Sequence, residues 1–312
     1  MSITVFGSLN MDLTAYVATL PRPGATAHAQ NYTIGLGGKG ANQAVAAQRL
    51  SEQPVRLVAA IGADAFGIRA QELLAGFKVS TEQLRIMPEE DTGIALIHVD
   101  ANAQNTITVV GGANLAWPDE GPDPAVFRAT RIALFQLETP LPATLAAMQQ
   151  ARNAGAGIIL DPAPAPDQTG DAEIQSLLEL ADIVTPNESE AESLTGLTVA
   201  DRRGALQAAH ALRARGAAAV VVKRGVQGLV YVDKDWHEGE ISAFKVATVD
   251  SVGAGDCFNG ALAVALTEGR PFQEALHFAA AAAALSTEKP GAAAAAPERT
   301  QVESLLRKKL SV

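Results

Sequence analysis

The glycine-rich stretch Asp250-Ser-Val-Gly-Ala-Gly-Asp256 is the segment best suited to chemistry. The alternating, β-branched residues 244–249 before it predict a strand, and residues 260–266 after it predict a buried helix. The stretch therefore lies at a helix N-terminus, where the first backbone N–H groups have no partner within the helix. Because the helix dipole adds roughly half a positive charge there, the backbone at residues 253–255 is predicted to hold an anion such as a phosphoryl group.

Asp256 is unexpected in such a loop, because a carboxylate repels a phosphate unless it has a task of its own. One interpretation is that Asp256 is a general base. It would take the proton of a substrate hydroxyl while the amides of Gly253, Ala254 and Gly255 stabilise the developing phosphoryl charge. The other interpretation is that Asp256 only caps the helix, as aspartate often does. The local pattern leaves both open.

Polar residues also follow the ends of several other predicted strands. Because the carboxyl ends of parallel strands meet at one edge of a sheet, such residues are expected to outline a ligand cleft. The set consists of Glu138, Asp161, Asn187, Glu190, Lys223 and Asp256.

Asn10 and Asp12 come just after the first predicted strand, residues 3–6. Together the two side chains offer hydrogen-bond donors and acceptors, which suits the hydroxyl groups of a sugar. Asn and Asp are also common in ordinary turns, so a turn is the alternative interpretation.

A second glycine-rich run, Gly35-Leu-Gly-Gly-Lys-Gly-Ala-Asn-Gln-Ala44, contains a G-x-G-x-x-G match. The match follows the first strand by about 30 residues and has no G-K-[ST] ending, so it is weak evidence for a dinucleotide site and does not fit a P-loop. Its glycines let the backbone approach a ligand closely. Lys39 can neutralise a phosphate there, and Asn42, at the first turn of a helix predicted over residues 44–50, can bond a hydroxyl.

Strands and helices alternate along the second half of the chain, which predicts βαβ units and a parallel sheet. The predicted strands are 131–137, 157–160, 181–184 and 218–222, and the predicted helices are 142–154, 171–180, 201–215 and 275–285. Residues 291–296 are predicted to be a flexible loop and residues 297–310 a terminal helix.

The first half of the chain is predicted to add a strand at 55–61, a helix at 65–76 and a hairpin of residues 92–99 and 106–110. Together with residues 14–34, this hairpin is expected to form a small separate sheet that serves as a lid.

Composition narrows the class of protein. The 312 residues carry a formal net charge of −10, which argues against a nucleic-acid surface, since nucleic acid needs clustered Lys and Arg. The single cysteine, Cys257, excludes an internal disulfide and indicates a cytoplasmic protein. There is no signal-peptide pattern, and the longest apolar run, 278–285, is too short to cross a bilayer, so a soluble protein with no membrane partner is expected.

Five motifs occur together in an order that resembles one enzyme family. They are Gly7-Ser-Leu-Asn-Met-Asp12, Gly37-Gly-Lys-Gly-Ala-Asn-Gln-Ala44, Gln136-Leu-Glu138, Thr185-Pro-Asn-Glu-Ser-Glu190 and Asp250-Ser-Val-Gly-Ala-Gly-Asp256. On these motifs the chain resembles the ribokinase (PfkB-like) carbohydrate kinases from about residue 3 to residue 300.

The resemblance implies an α/β fold with a Rossmann-like, mainly parallel central sheet flanked by helices and a small β-sheet lid. It implies one kinase domain over residues 1–312, with a lid formed by about 12–34 and 91–111. In this family the lid is often shared between two subunits, so a homodimer through the lid is expected.

The resemblance also implies a reaction, the transfer of the γ-phosphate of Mg-ATP to the 5-hydroxyl of D-ribose to give D-ribose 5-phosphate. Asp256 would be the base, and the backbone from Gly253 to Gly255 would be the anion hole. The implied sugar ligands are Asn10, Asp12, Gly38, Lys39, Asn42, Glu138 and Asp256. The implied ATP ligands are Asn187, Lys223, Gly225, Gly228 and Gly255.

Two kinds of metal ion follow from the same resemblance. Glu190 would act on Mg²⁺ through water. A monovalent cation, K⁺ in this family, would lie beside the anion hole, held largely by carbonyl groups. The matching positions are Asp250, Val252, Ser286, Lys289, Gly291 and Ala295.

Some residues depart from the family pattern. Ala295 stands where a serine that supplies a cation ligand is common, and Pro290 alters the preceding loop, so potassium activation is left open. Arg224 replaces an apolar or small residue beside the phosphates, and it either contacts ATP or points to solvent. Gly112, in the Gly-Ala-Asn segment, is expected to influence sugar choice from the lid.

Other functions compete with a ribose kinase. A kinase of the same family for deoxyribose or a nucleoside is one, although a nucleoside needs an apolar or aromatic slot and only 4% of the residues are aromatic. A nicotinamide-dependent oxidoreductase would rest on the G-x-G-x-x-G match alone. A non-catalytic sugar-binding protein would not need Asp256.

Overall fold

The computed structural model describes residues 2–102, 104–165 and 172–310. The strands are β1 Ser2–Phe6, β2 Asn10–Val17, β3 Ala29–Gly37, β4 Val55–Val58, β5 Ala60–Gly62, β6 Arg85–Met87, β7 Gly93–Val99, β8 Asn105–Val110, β9 Thr130–Phe135, β10 Gly157–Leu160, β11 Ile183–Val184, β12 Val220–Lys223, β13 Leu229–Val232 and β14 Glu238–Ile241. The helices are α1 Lys39–Leu50, α2 Ala65–Gly76, α3 Leu141–Asn153, α4 Ala172–Leu180, α5 Glu188–Thr195, α6 Arg202–Ala214, α7 Ala254–Thr267, α8 Phe272–Ser286 and α9 Arg299–Leu310. Among these helices, none combines the length and the apolar character needed to span a bilayer.

The main sheet has the strand order β14-β13-β12-β11-β10-β9-β1-β4. The strands from β12 to β4 run parallel, while β13 and β14 add an antiparallel edge. The parallel strands are short apolar runs such as Gly157-Ile-Ile-Leu160, as expected for strands that are buried on both faces. The predicted parallel sheet is confirmed. The β13–β14 hairpin was not predicted. Its two strands are only four residues each, and they follow a glycine-containing segment whose pattern is typical of a ligand-binding loop.

Apolar side chains from the two faces of the main sheet build two buried cores. Along β1, Ile3 and Val5 belong to the core that contains α1, α2, α7, α8 and α9, whereas Phe6 belongs to the core that contains α3 to α6. This alternation follows from the two-residue period of a strand. The result is a three-layer α/β/α arrangement, which is the fold class expected from the sequence.

The second sheet is small and has the order β3-β2-β7-β8. Its central strands β2 and β7 are parallel, and both outer pairs are antiparallel. The hairpin predicted over residues 92–99 and 106–110 is therefore confirmed as β7 and β8. The division of the chain into one domain with this sheet as a moving lid stays a prediction.

Two strand predictions are wrong in the described residues. Residues 244–249 pair with no strand, and the Val249 amide instead donates to the Thr287 carbonyl at 2.7 Å. An alternating β-branched pattern favours an extended chain, but a strand also needs a neighbour to pair with. The strand predicted over residues 55–61 is divided at Ala59, because β4 stays in the main sheet while β5 leaves it to pair with β6.

Three helical segments also differ from expectation. Helix α1 begins at Lys39, five residues before its predicted start at 44, so its first turn includes the glycine-rich run. Helix α5 was not predicted. The segment over residues 291–296 is not a free loop, since Ala293, Ala295 and Ala296 are buried and the Arg49 guanidinium donates to the Ala296 carbonyl. The predicted helix over residues 171–180 starts at a position outside the described residues, and α4 covers the rest.

Gly260 lets helices α1 and α7 approach closely. A Cβ atom placed on Gly260 would lie 2.6 Å from the Gln43 carbonyl oxygen and 2.8 Å from the Ala47 amide nitrogen, distances that real Cβ atoms do not tolerate. Only glycine fits this contact. One turn earlier on α7 lies Asp256, so the same contact sets the distance between Asp256 and α1.

We expect Gly260→Ala to lower the free energy of unfolding by about 1–3 kcal/mol, because the added methyl group forces two helix backbones apart. Denaturant unfolding of the variant and the wild type measures this difference. Gly76→Ala is the matched control, since a Cβ at Gly76 meets no atom within 4 Å. Equal stability of the two variants would contradict the close-packing explanation.

Candidate active site

A cleft of about 490 Å³ opens at the carboxyl ends of the parallel strands. Its walls come from residues that follow β10 and β11, from the end of β12, from the first turns of α5 and α7, and from α8. The extended segment 244–249 contributes a further wall. The predicted site residues that line it are Lys39, Asn187, Glu190, Lys223, Gly225, Gly228, Gly253, Ala254, Gly255 and Asp256.

Asp256 lies in the first turn of α7 with only 7% of its surface exposed. Its carboxylate accepts hydrogen bonds from Asn42 Nδ2 and Gln43 Nε2, each at 3.1 Å. These donors are neighbours on α1, so one binds each carboxylate oxygen. The capping interpretation is wrong, because the N-cap of α7 is Gly253 and no side chain caps this helix.

Burial raises the pKa of Asp256 to about 6, although the charge of Lys39 lowers it, and the nearby Asp161 raises it. A carboxyl group with this pKa is mostly ionised at pH 7 and is a stronger base than an exposed aspartate. The environment therefore suits a general base.

The first turn of α7 supplies backbone donors beside Asp256. The Ala254 amide donates to the Ser251 carbonyl at 3.2 Å, while the Gly255 amide meets no acceptor in the described part of the chain. Gly253 and Gly255 both line the cleft. Among the described residues the Gly255 amide is thus an unpaired donor at the position expected for an anion hole. That this backbone binds a phosphoryl group stays a prediction.

Asn10 and Asp12 are both in β2, so the turn interpretation of these residues is wrong. Asn10 is buried, and its Oδ1 accepts a hydrogen bond from Asn114 Nδ2 at 2.8 Å. Asn114 also bonds the amide and the carbonyl of Leu9, each at 2.9 Å. Asn114 was not among the predicted site residues, because a contact between distant segments leaves no local pattern.

Asp12 lies over the backbone of Gly37, where a Cβ atom would be 1.9 Å from Asp12 Oδ1. Burial, together with the charges of Glu138 and Asp256, raises the pKa of Asp12 to about 7. Three carboxyl groups therefore face one small region.

Glu138 holds the start of α1. Its Oε2 accepts hydrogen bonds from the Lys39 amide at 3.0 Å and from the Ser8 hydroxyl. Gly38 is the N-cap of α1, and it packs against the start of β2, since a Cβ atom there would lie 2.8 Å from the Asn10 amide nitrogen.

Lys39 is a half-buried cation among acidic groups. Burial lowers the pKa of Lys39, but the charges of Asp256, Asp161 and Glu138 raise it, and the net effect is a pKa above the ordinary value. The ammonium group therefore stays charged and can neutralise a phosphate in the cleft.

Asp161 was predicted to outline the cleft and does line it, but the sequence did not predict its contacts. It is buried, and its Oδ1 accepts a hydrogen bond from Lys223 Nζ at 2.9 Å, while its Oδ2 accepts one from Gln43 Nε2 at 3.0 Å. Gln43 and its partner Gln136 were not among the predicted site residues, although both lie inside the family motifs. Their position in those motifs was the available signal, and only the fold shows what they contact.

Asn187 and Glu190 form a reciprocal capping box at the start of α5. Asn187 Oδ1 accepts from the Glu190 amide at 2.8 Å, and Glu190 Oε2 accepts from the Asn187 amide at 2.7 Å. Burial raises the pKa of Glu190, Lys223 lowers it, and Asp161 raises it. Both residues thus have a structural task besides any contact with ATP or Mg²⁺.

The positions implied for a monovalent cation are only partly connected. Asp250 accepts hydrogen bonds from the amides of Val252, at 3.0 Å, and Gly291, at 2.9 Å. The buried Ser286 hydroxyl donates to the Ala283 carbonyl at 2.8 Å. Of the other implied positions, Lys289 has an exposed side chain and Ala295 is buried.

Two departures from the family pattern have clear positions. Arg224 does not point to solvent, since its side chain is buried, lies 3.4 Å from Glu188 Oε1 and donates to Gln227. Gly112 begins a short 3-10 turn after β8, outside the strands of the small sheet. Its influence on sugar choice stays a prediction.

Comparison with known proteins defines the class. Residues 1–299 match the pfkB family of carbohydrate kinases. The chain belongs to this family and is a carbohydrate kinase, as its motifs indicate.

Individual relatives indicate which sugars the kinases similar to this chain act on. The ribokinase of Haemophilus influenzae is 38% identical over 307 residues, which are 98% of this chain and 98% of the relative. The deoxyribokinase of Salmonella typhi is 32% identical over 308 residues, 98% of this chain and 99% of the relative. The solved structure of Arabidopsis thaliana ribokinase complexed with ribose and ATP is 35% identical, with a TM-score of 0.90 and 98% of each chain covered. The expected fold is therefore confirmed.

We expect Asp12→Asn to stabilise the protein at pH 8 but not at pH 4. The pKa of Asp12 is about 7 in the folded protein and 3.8 ordinarily, so the folded state binds the proton more tightly, and stability falls as the pH rises from about 4 to about 7. An uncharged side chain avoids this loss and should raise the free energy of unfolding at pH 8 by about 1–3 kcal/mol.

Urea unfolding at the two pH values measures the effect of Asp12→Asn. The control is Asp119→Asn, which changes an exposed aspartate. A gain of the same size at both pH values would contradict the expected role of the Asp12 charge.

Proposed function

We propose that the protein is an ATP-dependent kinase that transfers the γ-phosphate of ATP to the 5-hydroxyl of D-ribose and releases D-ribose 5-phosphate. The observation that carries this proposal is the buried Asp256 carboxylate, held by two amides of α1 at the end of a cleft that the α7 N-terminus also lines. The full-length similarity to ribokinases supports the choice of ribose.

Asp256 acts on the sugar hydroxyl as general base. Asn42 and Gln43 each occupy one lone pair on a different carboxylate oxygen, so further lone pairs are free to accept the hydroxyl proton. Asn42 Oδ1 is buried and meets no donor among the described residues, which suits a second sugar hydroxyl. Asn10, Asp12, Gly38, Lys39 and Glu138 border the same region and complete the sugar site.

The cleft also stabilises the charge that is transferred. Phosphoryl transfer needs positioning and charge stabilisation more than covalent help from the protein. Lys39 supplies a half-buried positive charge, the backbone from Gly253 to Gly255 supplies donors, and Lys223 lies near Gly255. Asn187, Gly225 and Gly228 line the part of the cleft that would hold the rest of ATP.

The donor set fits a magnesium ion. Glu190 lines the cleft and offers carboxylate oxygens, the ligands that Mg²⁺ prefers. Bound there, Mg²⁺ would neutralise phosphate charge, with Glu190 acting through water. For K⁺, Ala295 has no side-chain oxygen, so a cation site would depend on backbone carbonyls and on Asp250.

Two alternatives keep the fold and change the function. A 2-deoxyribose kinase is supported by the similarity to a deoxyribokinase. A nucleoside kinase and a non-catalytic sugar-binding protein have less support, because aromatic residues are few and the base is in place. The oxidoreductase interpretation has no structural support, because a dinucleotide-binding G-x-G-x-x-G lies within a βαβ unit of the main sheet. Here the match runs from β3 of the small sheet into α1.

We also propose a homodimer through the small sheet, in a cytosolic protein. Ile107 and Val109 on β8 expose 52% and 54% of their surfaces, and their alternation places them on one face. A second copy would cover this apolar face. Light scattering at micromolar concentration should give the mass of a dimer, and Ile107→Lys should give a monomer. A wild-type monomer would contradict the dimer.

The activity is tested by ADP release from Mg-ATP with a panel of pentoses and nucleosides. We expect the highest kcat/KM with D-ribose, because the ribokinase of Haemophilus influenzae is more similar to this chain than the deoxyribokinase of Salmonella typhi is. Higher activity with 2-deoxyribose would change the substrate and keep the mechanism, and no activity with any sugar would favour a binding protein. The same assay with and without K⁺ decides whether the cation site works without a serine at position 295.

We expect Asp256→Asn to lower kcat by about 10²–10⁴-fold, the usual contribution of a general base, while ATP binding stays nearly unchanged. Steady-state kinetics and calorimetric titration with ATP measure the two effects. The conservative control Asp119→Asn should keep wild-type kcat. A kcat for Asp256→Asn at half the wild-type value would exclude Asp256 as the base.

A further inference from the structure

Gln43 links two carboxylates that come from distant parts of the chain. Its side chain is fully buried, and its Nε2 donates to Asp256 Oδ1 at 3.1 Å and to Asp161 Oδ2 at 3.0 Å. An amide nitrogen carries two hydrogens, so one side chain can satisfy both acceptors. Asp161 in turn is bonded to Lys223, which connects the base to the nucleotide side of the cleft.

The orientation of the Gln43 amide follows from its neighbours. An ionised carboxylate accepts hydrogen bonds and cannot donate, so the nitrogen of Gln43 must face Asp256 and Asp161. Its Oε1 then faces the other way and accepts from Gln136 Nε2 at 2.7 Å. Gln136 is also fully buried. It therefore holds Gln43 with the donating end toward the carboxylates.

We propose that Gln43, oriented by Gln136, is a positioning residue that aims the Asp256 carboxylate at the substrate hydroxyl and keeps it ionised beside Asp161. This inference rests on the proposed role of Asp256 as base. Asn42 fixes the other carboxylate oxygen, so the two consecutive side chains of α1 together set the direction of the free lone pairs.

Charged groups surround Asp256 on several sides, and Gln43 acts against this background. The groups that face it are Lys39 from α1, Asp161 after β10, Asp12 from β2 and Lys223 from β12. A donor to the ionised form favours that form, so Gln43 lowers the pKa that burial and Asp161 raise. Without Gln43, two neighbouring carboxylates would lose their shared donor.

The first test is Gln43→Met, which keeps the length of the side chain and removes both hydrogen bonds. We expect kcat at pH 7 to fall about 10- to 100-fold, because a misdirected base loses its near-attack geometry. The acidic limb of the kcat–pH profile should move up by about one pH unit, since the ionised form of Asp256 loses a donor. The KM for both substrates should change little.

Gln43→Glu tests the same idea with a side chain of the same shape. The introduced carboxyl group can donate only while it is protonated, and once ionised it repels the Asp256 carboxylate, so the acidic limb should move up further than in Gln43→Met. Gln136→Met should move the profile in the direction of Gln43→Met by a smaller amount, because Gln43 is then free to rotate. If one of these variants fails to fold, the others still decide.

Gln48→Met is the matched control on the same helix. Its side chain accepts a hydrogen bond from the Val55 amide at 2.8 Å, so the variant loses a structural contact away from the cleft. It should lower stability and leave the pH profile in place. An equal shift in Gln48→Met, or a Gln43→Met profile with the wild-type midpoint and kcat within about twofold, would overturn the proposal.

The test separates this inference from the proposed function. If the wild type does not phosphorylate D-ribose, any sugar that it does phosphorylate serves for the profiles. If it phosphorylates none, ¹³C NMR of aspartate-labelled protein follows the Asp256 carboxyl titration, with Asp256→Asn for assignment. An upward shift of that titration in Gln43→Met supports the positioning role, and an unchanged titration overturns it.

Discussion

The structure depends on keeping buried carboxylates charged within one small region. Asp161 and Asp256 are both buried and share the Gln43 donor, and burial raises the pKa of Asp256, which favours its neutral form. Lysine charges and amide donors oppose this tendency. Helix α1 supplies most of them, because Lys39, Asn42 and Gln43 lie within its first two turns. A site that needs an ionised base therefore needs this helix at a short distance from α7.

That distance is set by packing rather than by the polar groups. The contact at Gly260 joins α1 to α7, and the apolar core on that face of the sheet holds both helices. The hydrogen bonds to Asp256 can form only where the helix backbones already lie close together. Core packing thus supplies the free energy that offsets an unfavourable concentration of negative charge.

The sequence predicts the fold and the catalytic loop better than it predicts the site's internal contacts. The parallel sheet, the small-sheet hairpin and α7 follow from local periodicity and turn residues. The segment 244–249 shows the limit, because an extended pattern does not reveal whether a partner strand exists. The contacts of Gln43, Asn114 and Asp161 show a second limit of sequence-based prediction. The residues next to a buried amide or carboxylate in the sequence do not distinguish it from an exposed one. The partners of such groups are defined only when distant segments meet.

Strand β2 is long enough to reach from the proposed sugar site into the small sheet. Its first residues, Asn10 and Asp12, belong to the proposed sugar site, and its remaining residues form the middle of the small sheet. Eight residues of extended chain span about 25 Å, and the neighbouring strands stiffen them along that length. Strand β2 therefore connects the proposed sugar site to the middle of the small sheet through one stiff segment. A rigid tilt of the small sheet would change the direction of the Asp12 side chain, so contacts made on that sheet would affect sugar binding at the proposed site.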